Sequence, residues 1–230
     1  MKAAAEPLVA LVPAYNEAGR VGDVVRRTLP LVARVIVVDD GSDDGTGDEA
    51  RTAGAEVIVH PANRGKGAAL TTGFARCGAL GCEWIVLLDG DGQHDPADIS
   101  KLLAARASGS KLIIGNRMGH VDGMPWGRQI GNRVSSWLVS HLIGQHVADS
   151  QCGFRLLHRS LLDTLRLSAQ HYECDTEMLI LVTMAGHRIA NVPVTTIYGG
   201  ETSHIRPWKD LGRFFRILWR YRQCKAALRP

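Results

Sequence analysis

A chain of 230 residues, 45% hydrophobic and 22% charged, has the make-up of a globular protein long enough to bury a substantial core. It contains no run of about 18 apolar residues, which excludes a helical membrane span. The net charge of +4 is uneven: residues 206–230 carry eight Lys or Arg against one Asp, so the tail holds +7 and the rest of the chain −3.

In chain order, LVALVP at 8–13 predicts a strand, and residues 17–29 a helix stopped near Pro30. RVIVVDD at 34–40 is a β-branched strand, and GSDDGT supplies turn and cap residues for a helix to about 53. AEVIVH at 55–60 is a third strand; after PANRGKG a helix is expected at 66–79. EWIVLLD at 83–89 reads as the fourth strand, Asp95-Pro96 opens another helix, and KLIIGNR at 111–117 is the fifth strand. A Gly-rich, basic stretch then precedes an amphipathic helix over 128–143. DSQCGFRLLHRS reads as a strand or turn with a short helix, 173–185 as a helix, 187–198 as a strand and 208–221 as the last helix. Continuous apolar strands separated by helices give an α/β fold, a Rossmann-like, mostly parallel sheet flanked by helices and ending in a C-terminal amphipathic helix. With no repeat or linker, residues 1–230 are expected to form one domain. The N-terminus makes a poor leader peptide, and five cysteines without ligand-like spacing read as reduced thiols of a cytoplasmic protein.

Ligands of such sheets sit beyond the carboxyl ends of the strands, where PAYNE, DDGS, NRGKG and DGDGQHD all fall. In extended backbone Asp89 and Asp91 face the same way, with Gln93 next in register, and Gly90 and Gly92 permit a tight turn. Two such carboxylates would destabilise each other unless a hard divalent cation, Mg²⁺ or Mn²⁺, lay between them. The alternative is a solvated Asp/Gly turn before a helix capped by Asp95. Asn63-Arg64-Gly65-Lys66-Gly67 offers cations and open amides to a phosphate, although loops of this composition are common. Asp39 and Asp40 suit a nucleobase or ribose, or else cap the following helix.

VPAYNE, VVDDGSDDGT, NRGKGAAL, DGDGQHDP and GNR, in that order, resemble family 2 glycosyltransferases of the GT-A fold. The branch resembled is that of dolichyl-phosphate mannose synthases and polyprenyl-phosphate glycosyltransferases. The resemblance implies inverting, metal-dependent transfer of a sugar from a GDP- or UDP-sugar to an acceptor, a polyprenyl phosphate first of all. Residues 1–117 would be the nucleotide-sugar-binding half, 118–205 the acceptor side and 206–230 a basic amphipathic tail. Pro13, Tyr15, Glu17, Asp39, Asp40, Lys66, Asp89, Gly90 and Asp91 would hold the donor, and Asp89, Asp91 and Gln93 the metal. Arg117, Arg128, Asn132, Arg133 and Ser135 would hold the acceptor phosphate. Asp91, Arg117, Arg133 and Glu177 would be catalytic, with Glu177 alternatively orienting a helix or an arginine. A soluble or polysaccharide acceptor would instead need Glu177 or Asp175 as base. Other readings are a nucleotidyltransferase, disfavoured because PAYNEAGR is no basic Gly-rich loop, and a non-catalytic nucleotide-sugar-binding partner of a membrane complex. The loop at 198–206 departs from the mannose synthases, leaving His204 or Arg206 to close over the diphosphate.

In the last helix Lys209, Arg213, Arg216 and Arg220 form a basic stripe opposite an aromatic arc. This fits packing on the domain or contact with a membrane surface. The expected location is therefore peripheral, on the cytoplasmic face of a membrane, with a possible integral membrane partner. No motif supports nucleic acid binding.

Overall fold

The computed structural model describes residues 8–119, 124, 126–197 and 207–227, the side chains of 207–210 and 223–227 excepted. The loop holding His204 and Arg206, and the Lys209 side chain, lie outside the described residues. The strands are β1 (Leu8–Ala14), β2 (Arg34–Asp39), β3 (Glu56–Val59), β4 (Trp84–Leu87), β5 (Leu112–Asn116), β6 (Arg155–His158) and β7 (Ile189–Pro193). The helices are α1 (Val21–Thr28), α2 (Thr46–Thr52), α3 (Lys66–Leu80), α4 (Ile99–Ala104), α5 (Trp126–Ile143), α6 (Cys174–Met184) and α7 (Pro207–Ala227).

All seven strands join one sheet in the order β3-β2-β1-β4-β6-β5-β7. Every pairing is parallel except those of β6, which runs against both β4 and β5. The strands' period of two divides the core. Leu11, Ile36, Val38 and Ile85 face α3, α5, α6 and α7, packing with Leu70, Phe74, Met178 and Phe214. Ala10, Val12, Val35 and Val37 face α1, α2 and α4, packing with Val21, Val25, Ile99 and Leu102.

Chain order turns back at β1: β2 and β3 lie on one side of it and β4 on the other. Such a reversal opens a crevice at the strands' carboxyl ends. Here the Asp40 amide donates to Ala14 O (2.8 Å) and the Leu88 amide to Leu11 O (3.2 Å), so three loops leave the sheet side by side.

Candidate active site

The first loop is pinned by the second. Asn16 bends the chain with φ +54°, and the amides of 16 to 18 donate to Ser42 Oγ (2.9 Å), Thr46 Oγ1 (2.8 Å) and Asp44 Oδ2 (3.0 Å). Gly19 and Gly22 donate to the Glu49 carboxylate. These bonds fix the turn at 17–20, whose Glu17 carbonyl accepts from the Arg20 and Val21 amides (3.1 and 3.0 Å), and α1 starts at Val21. They also give the polar side chains of DDGSDDGT a use beyond capping their own helix. Pro13 is buried, and Tyr15 half-buried, at the exit of β1.

Asp39 and Asp40 part company. Asp39 accepts from the Ser42 amide (3.0 Å) at the end of β2. Asp40 accepts from the amides of Arg64 (3.0 Å) and Gly65 (2.6 Å) and pairs with His60 Nδ1 (2.6 Å), whose Nε2 meets Thr72 Oγ1 (2.9 Å). Asp40 is 2% exposed, and its carboxylate is consumed in folding the NRGKG loop. Asp40 thus shapes the loop that carries Lys66.

Lys66 is the centre of a charge chain. Its Nζ lies 2.7 Å from Asp89 Oδ1 and 3.0 Å from Asp175 Oδ2; Asp175 Oδ1 lies 3.4 Å from Arg155 Nη2. Burial alone would raise the Asp89 pKa, but Lys66 and then His94 hold it well below the usual carboxylate range. Burial would likewise lower the Lys66 ammonium, and Asp175 and Asp89 instead hold it well above its ordinary value. Asp91 forms no ion pair with another described residue, and burial, then Asp89, raises it against the weaker pull of His94 and Lys66. Glu17 is driven the same way by burial, against Arg20 and with Asp91 and Asp89, and is pushed up to about 7. The margin of the sheet thus gathers Asp89, Asp91, Asp175 and Glu17, and the raised Asp91 and Glu17 mark a field that favours an added cation.

Glycines let these groups approach. A Cβ on Gly153 would lie 2.1 Å from Asp89 Oδ2, and one on Gly90 3.1 Å from the Ala14 Cβ. Asp91 Oδ1 accepts from the Gln93 amide (2.9 Å), and Gln93 itself is buried. Asp95 caps the next turn through the Ala97 amide, as expected. Among the described residues no three His, Cys, Asp or Glu side chains converge as a ready metal cage. Asp89, Asp91 and the Gln93 amide nevertheless fit a hard ion, since all are oxygen donors and such ions complete their shells with water and substrate phosphates. His94 is a neighbour that sequence reasoning passed over: buried, its Nε2 3.5 Å from Asp89 Oδ2 and its ring 5.2 Å from Phe154, with Nδ1 unpartnered among the described residues. Its place inside DGDGQHD was the available signal.

On the acceptor side, Arg117 is buried and donates from Nε and Nη2 to Asp149, at 2.7 and 3.0 Å. Its guanidinium is thus a structural partner of Asp149 in the ligand-free geometry. Arg155 is wholly buried and donates to the carbonyls of Cys152, Asp175 and Ser150, which ties β6 to α6. On α5, Arg128 is half-buried and Arg133 exposed, and neither forms an ion pair with another described residue. Asn132 is buried with Nδ2 unpartnered among the described residues, one turn before Ser136, which bonds Ser150 beside Asp149. Ser135 Oγ donates to the Asn132 carbonyl of its own helix (3.1 Å).

Glu177 is fully buried on α6. It accepts from the Ser168 amide and hydroxyl, the Ala169 amide (2.8 Å) and Tyr221 Oη (2.8 Å). Its lone pairs are directed at these donors, an arrangement that matches the alternative expectation of orienting a helix. Asp175, paired with Lys66 and Arg155, is equally engaged.

A sheet with this switch point, an Asp-x-Asp turn beyond β4 and cations facing it is the architecture of a GT-A glycosyltransferase. The chain belongs to glycosyl transferase family 2, whose family model matches residues 9–166, and it is a glycosyltransferase. Among its relatives is the UDP-N-acetylglucosamine–dolichyl-phosphate N-acetylglucosaminyltransferase of Methanococcus voltae, 33% identical over 82% of this chain and 84% of that one. The polyprenol monophosphomannose synthase of Mycolicibacterium smegmatis is 32% identical over 80% and 75% of the two chains. The fold is shared with glucosyl-3-phosphoglycerate synthase from Mycobacterium tuberculosis, solved with Mn²⁺, UDP and glucosyl-3-phosphoglycerate. That match has a TM-score of 0.74 and 23% identity over 98% of this chain and 82% of that one.

Proposed function

We propose that this glycosyltransferase moves a sugar, with inversion, from a nucleotide-diphosphate sugar to a polyprenyl phosphate. The observation that carries the acceptor choice is the engagement of both Asp175 and Glu177. A hydroxyl acceptor needs a base to take its proton, whereas a phosphate is already ionised at neutral pH. Relatives named for dolichyl- and polyprenol-linked transfer support the same choice.

In this reading the halves divide as expected from the motifs, 1–117 for the donor and 118–205 for the acceptor. Glu17, Asp39 and Tyr15 face the nucleoside, and Lys66 turns from Asp89 toward the donor diphosphate. Asp89, Asp91 and Gln93 would hold Mg²⁺ or Mn²⁺, which would supply positive charge to the departing diphosphate. Arg128, Asn132 and Arg133 hold the acceptor phosphate. A phosphate oxygen bonds to the anomeric carbon as its bond to the nucleotide diphosphate breaks from the opposite face, the electron pair leaving with the diphosphate. Rate enhancement comes from placement and fixed charge. Work at the cytoplasmic face of a membrane, beside an integral partner, belongs to the same reading.

The test offers radiolabelled UDP- and GDP-sugars, with Mn²⁺ and with chelator, to a polyprenyl phosphate and to soluble hydroxyl acceptors. Label passing into organic solvent only with the lipid phosphate and the ion is the expected result. Transfer to a hydroxyl acceptor alone would overturn the assignment.

A further inference from the structure

Asp89 divides its two carboxylate oxygens between different neighbours. Oδ1 meets Lys66 Nζ at 2.7 Å. Oδ2 is turned toward the buried Gly153, where a Cβ would lie 2.1 Å from it, and His94 Nε2 stands 3.5 Å away. Lys66 is a shared partner, since Asp175 Oδ2 takes the same ammonium at 3.0 Å. His94 is not shared: among the described residues Asp89 is the one carboxylate within ion-pair reach of its ring. The imidazole is also held without help from Asp89. Its side chain is 2% exposed, and its ring lies 5.2 Å from that of Phe154. Its backbone forms an antiparallel bridge with Thr196, and the Ile197 amide donates to Gln93 O (2.9 Å). Asp98 fastens the same segment by accepting from the Thr195 amide (2.6 Å). The chain leaving β7 thus clamps the loop that carries His94.

We propose that His94 is a positioning residue of the donor site: through Nε2–H it holds Asp89 Oδ2, so that Oδ1 keeps its aim at the divalent ion once Lys66 has turned to the diphosphate. The inference rests on the reading of Asp89 as an ion ligand given above. A carboxylate released by Lys66 would turn about its last side-chain bond, a broad and weakly restrained torsion. Tying one oxygen to a donor that ring packing and backbone already fix removes that freedom before the ion arrives. Because a carboxylate only accepts, Nε2 must carry the hydrogen, and in the neutral ring Nδ1 is then an acceptor. Nδ1 and Thr196 Oγ1 are both buried and unpartnered among the described residues. Side chains of a bridged pair share a face, so the Thr196 hydroxyl is the donor suited to this tautomer.

The test is Mn²⁺ titration of the full chain saturated with UDP and, in parallel, with GDP, read by the electron paramagnetic resonance of free Mn²⁺. No acceptor is present, so the outcome does not depend on the choice of a polyprenyl phosphate. His94→Phe keeps a ring beside Phe154 and removes the donor, whereas His94→Gln keeps an N–H. The Phe variant should bind the ion roughly 10- to 100-fold more weakly, and the Gln variant should recover most of that loss. Melting of the ion-free protein and its affinity for the nucleotide alone should not change, as they would if the ring only packed. An unaltered ion affinity in His94→Phe would overturn the proposal; so would an equal loss in both variants. Should the Phe variant not fold, the ¹⁵N spectrum of the imidazoles in the unsubstituted chain decides. A His94 protonated at Nε2 whose resonance responds to Mg²⁺ with UDP supports the proposal; one protonated at Nδ1 alone, or indifferent to the ion, overturns it. If the unsubstituted chain takes up no ion with either nucleotide, the metal reading of Asp89 itself falls, and the role of His94 with it.

Discussion

Arg117 grips Asp149 through two parallel hydrogen bonds, Nε to Oδ2 and Nη2 to Oδ1, and its backbone amide reaches the same carboxylate at 3.3 Å. Both side chains are withdrawn from water, at 6% and 0% exposure. An arginine so held fixes the exit of β5 against the 149–153 turn, which in turn sets Gly153 beside Asp89. Removing either partner strands a buried charge, at a cost of about 3–5 kcal/mol. Asp149→Ala and Arg117→Ala should each lose that much in urea melts. The double variant should lose less than their sum by about 1–3 kcal/mol. Strictly additive losses would show that the pair does not act as a unit.

Asp91 differs from Asp89 in forming no ion pair with another described residue, Lys66 and His94 acting on it only through space. Its charge is held against burial and against Asp89, so neutralising it relieves the ligand-free fold. Asp91→Asn should keep the protein folded and leave Tm equal or higher, by roughly 2–4 °C for each ~1 kcal/mol relieved. The same change should abolish transfer, because the donor's ion loses an anionic ligand. Turnover close to that of the unsubstituted enzyme would remove Asp91 from the site.

Glu17 gives the ligand-free protein a pH dependence of definite sign. Its folded pKa of about 7 lies above the ordinary 4.5, so the folded state binds the proton more tightly than the unfolded chain. Stability from this group therefore falls as pH rises between 4.5 and 7. Glu17→Gln should flatten that fall, becoming more stable than the unsubstituted protein above the window by at most about 3 kcal/mol. Urea melts on either side of the window measure it; parallel curves for the two proteins would show that Glu17 does not titrate there.

The fold and the acid turn were legible because each is local. A β-branched run ending in Asp, or DGDG after WIVLL, states its place along a strand without reference to the rest of the chain. The partners were not legible, because they lie far apart in sequence. Asp40 answers to amides at 64 and 65, Arg117 to Asp149, and Lys66 to Asp175. The acceptors that satisfy the leading amides of the 17–20 turn were hidden for the same reason, since they come from side chains at 42–49. The reversed direction of β6 was equally hidden, because LL within RLLH alternates no differently in a parallel or an antiparallel strand. Asp40, Arg117 and Glu177 share one pattern: a charged residue near the site is engaged by a distant partner.

Glu177 provides the test of that pattern. Its carboxylate gathers the 168–169 loop and Tyr221 of α7, and Arg220 Nη1 joins from the other side by donating to Ser168 Oγ (2.8 Å). Glu177→Gln turns an amide N–H toward groups that are themselves donors, and a buried unmatched group costs about 1–3 kcal/mol. Tyr221→Phe removes one neutral-donor bond to a charged acceptor, worth about 1.5–3 kcal/mol. Both variants should lower stability and speed limited proteolysis within α7. With the protein still folded, kcat for a lipid phosphate should stay within a few-fold of the unsubstituted value. A catalytic base behaves otherwise: Glu177→Gln would then lower kcat by about 10²–10⁴ and erase the acid limb of the pH–rate profile. That outcome, with Tyr221→Phe fully active, would restore Glu177 to the chemistry and with it a hydroxyl acceptor.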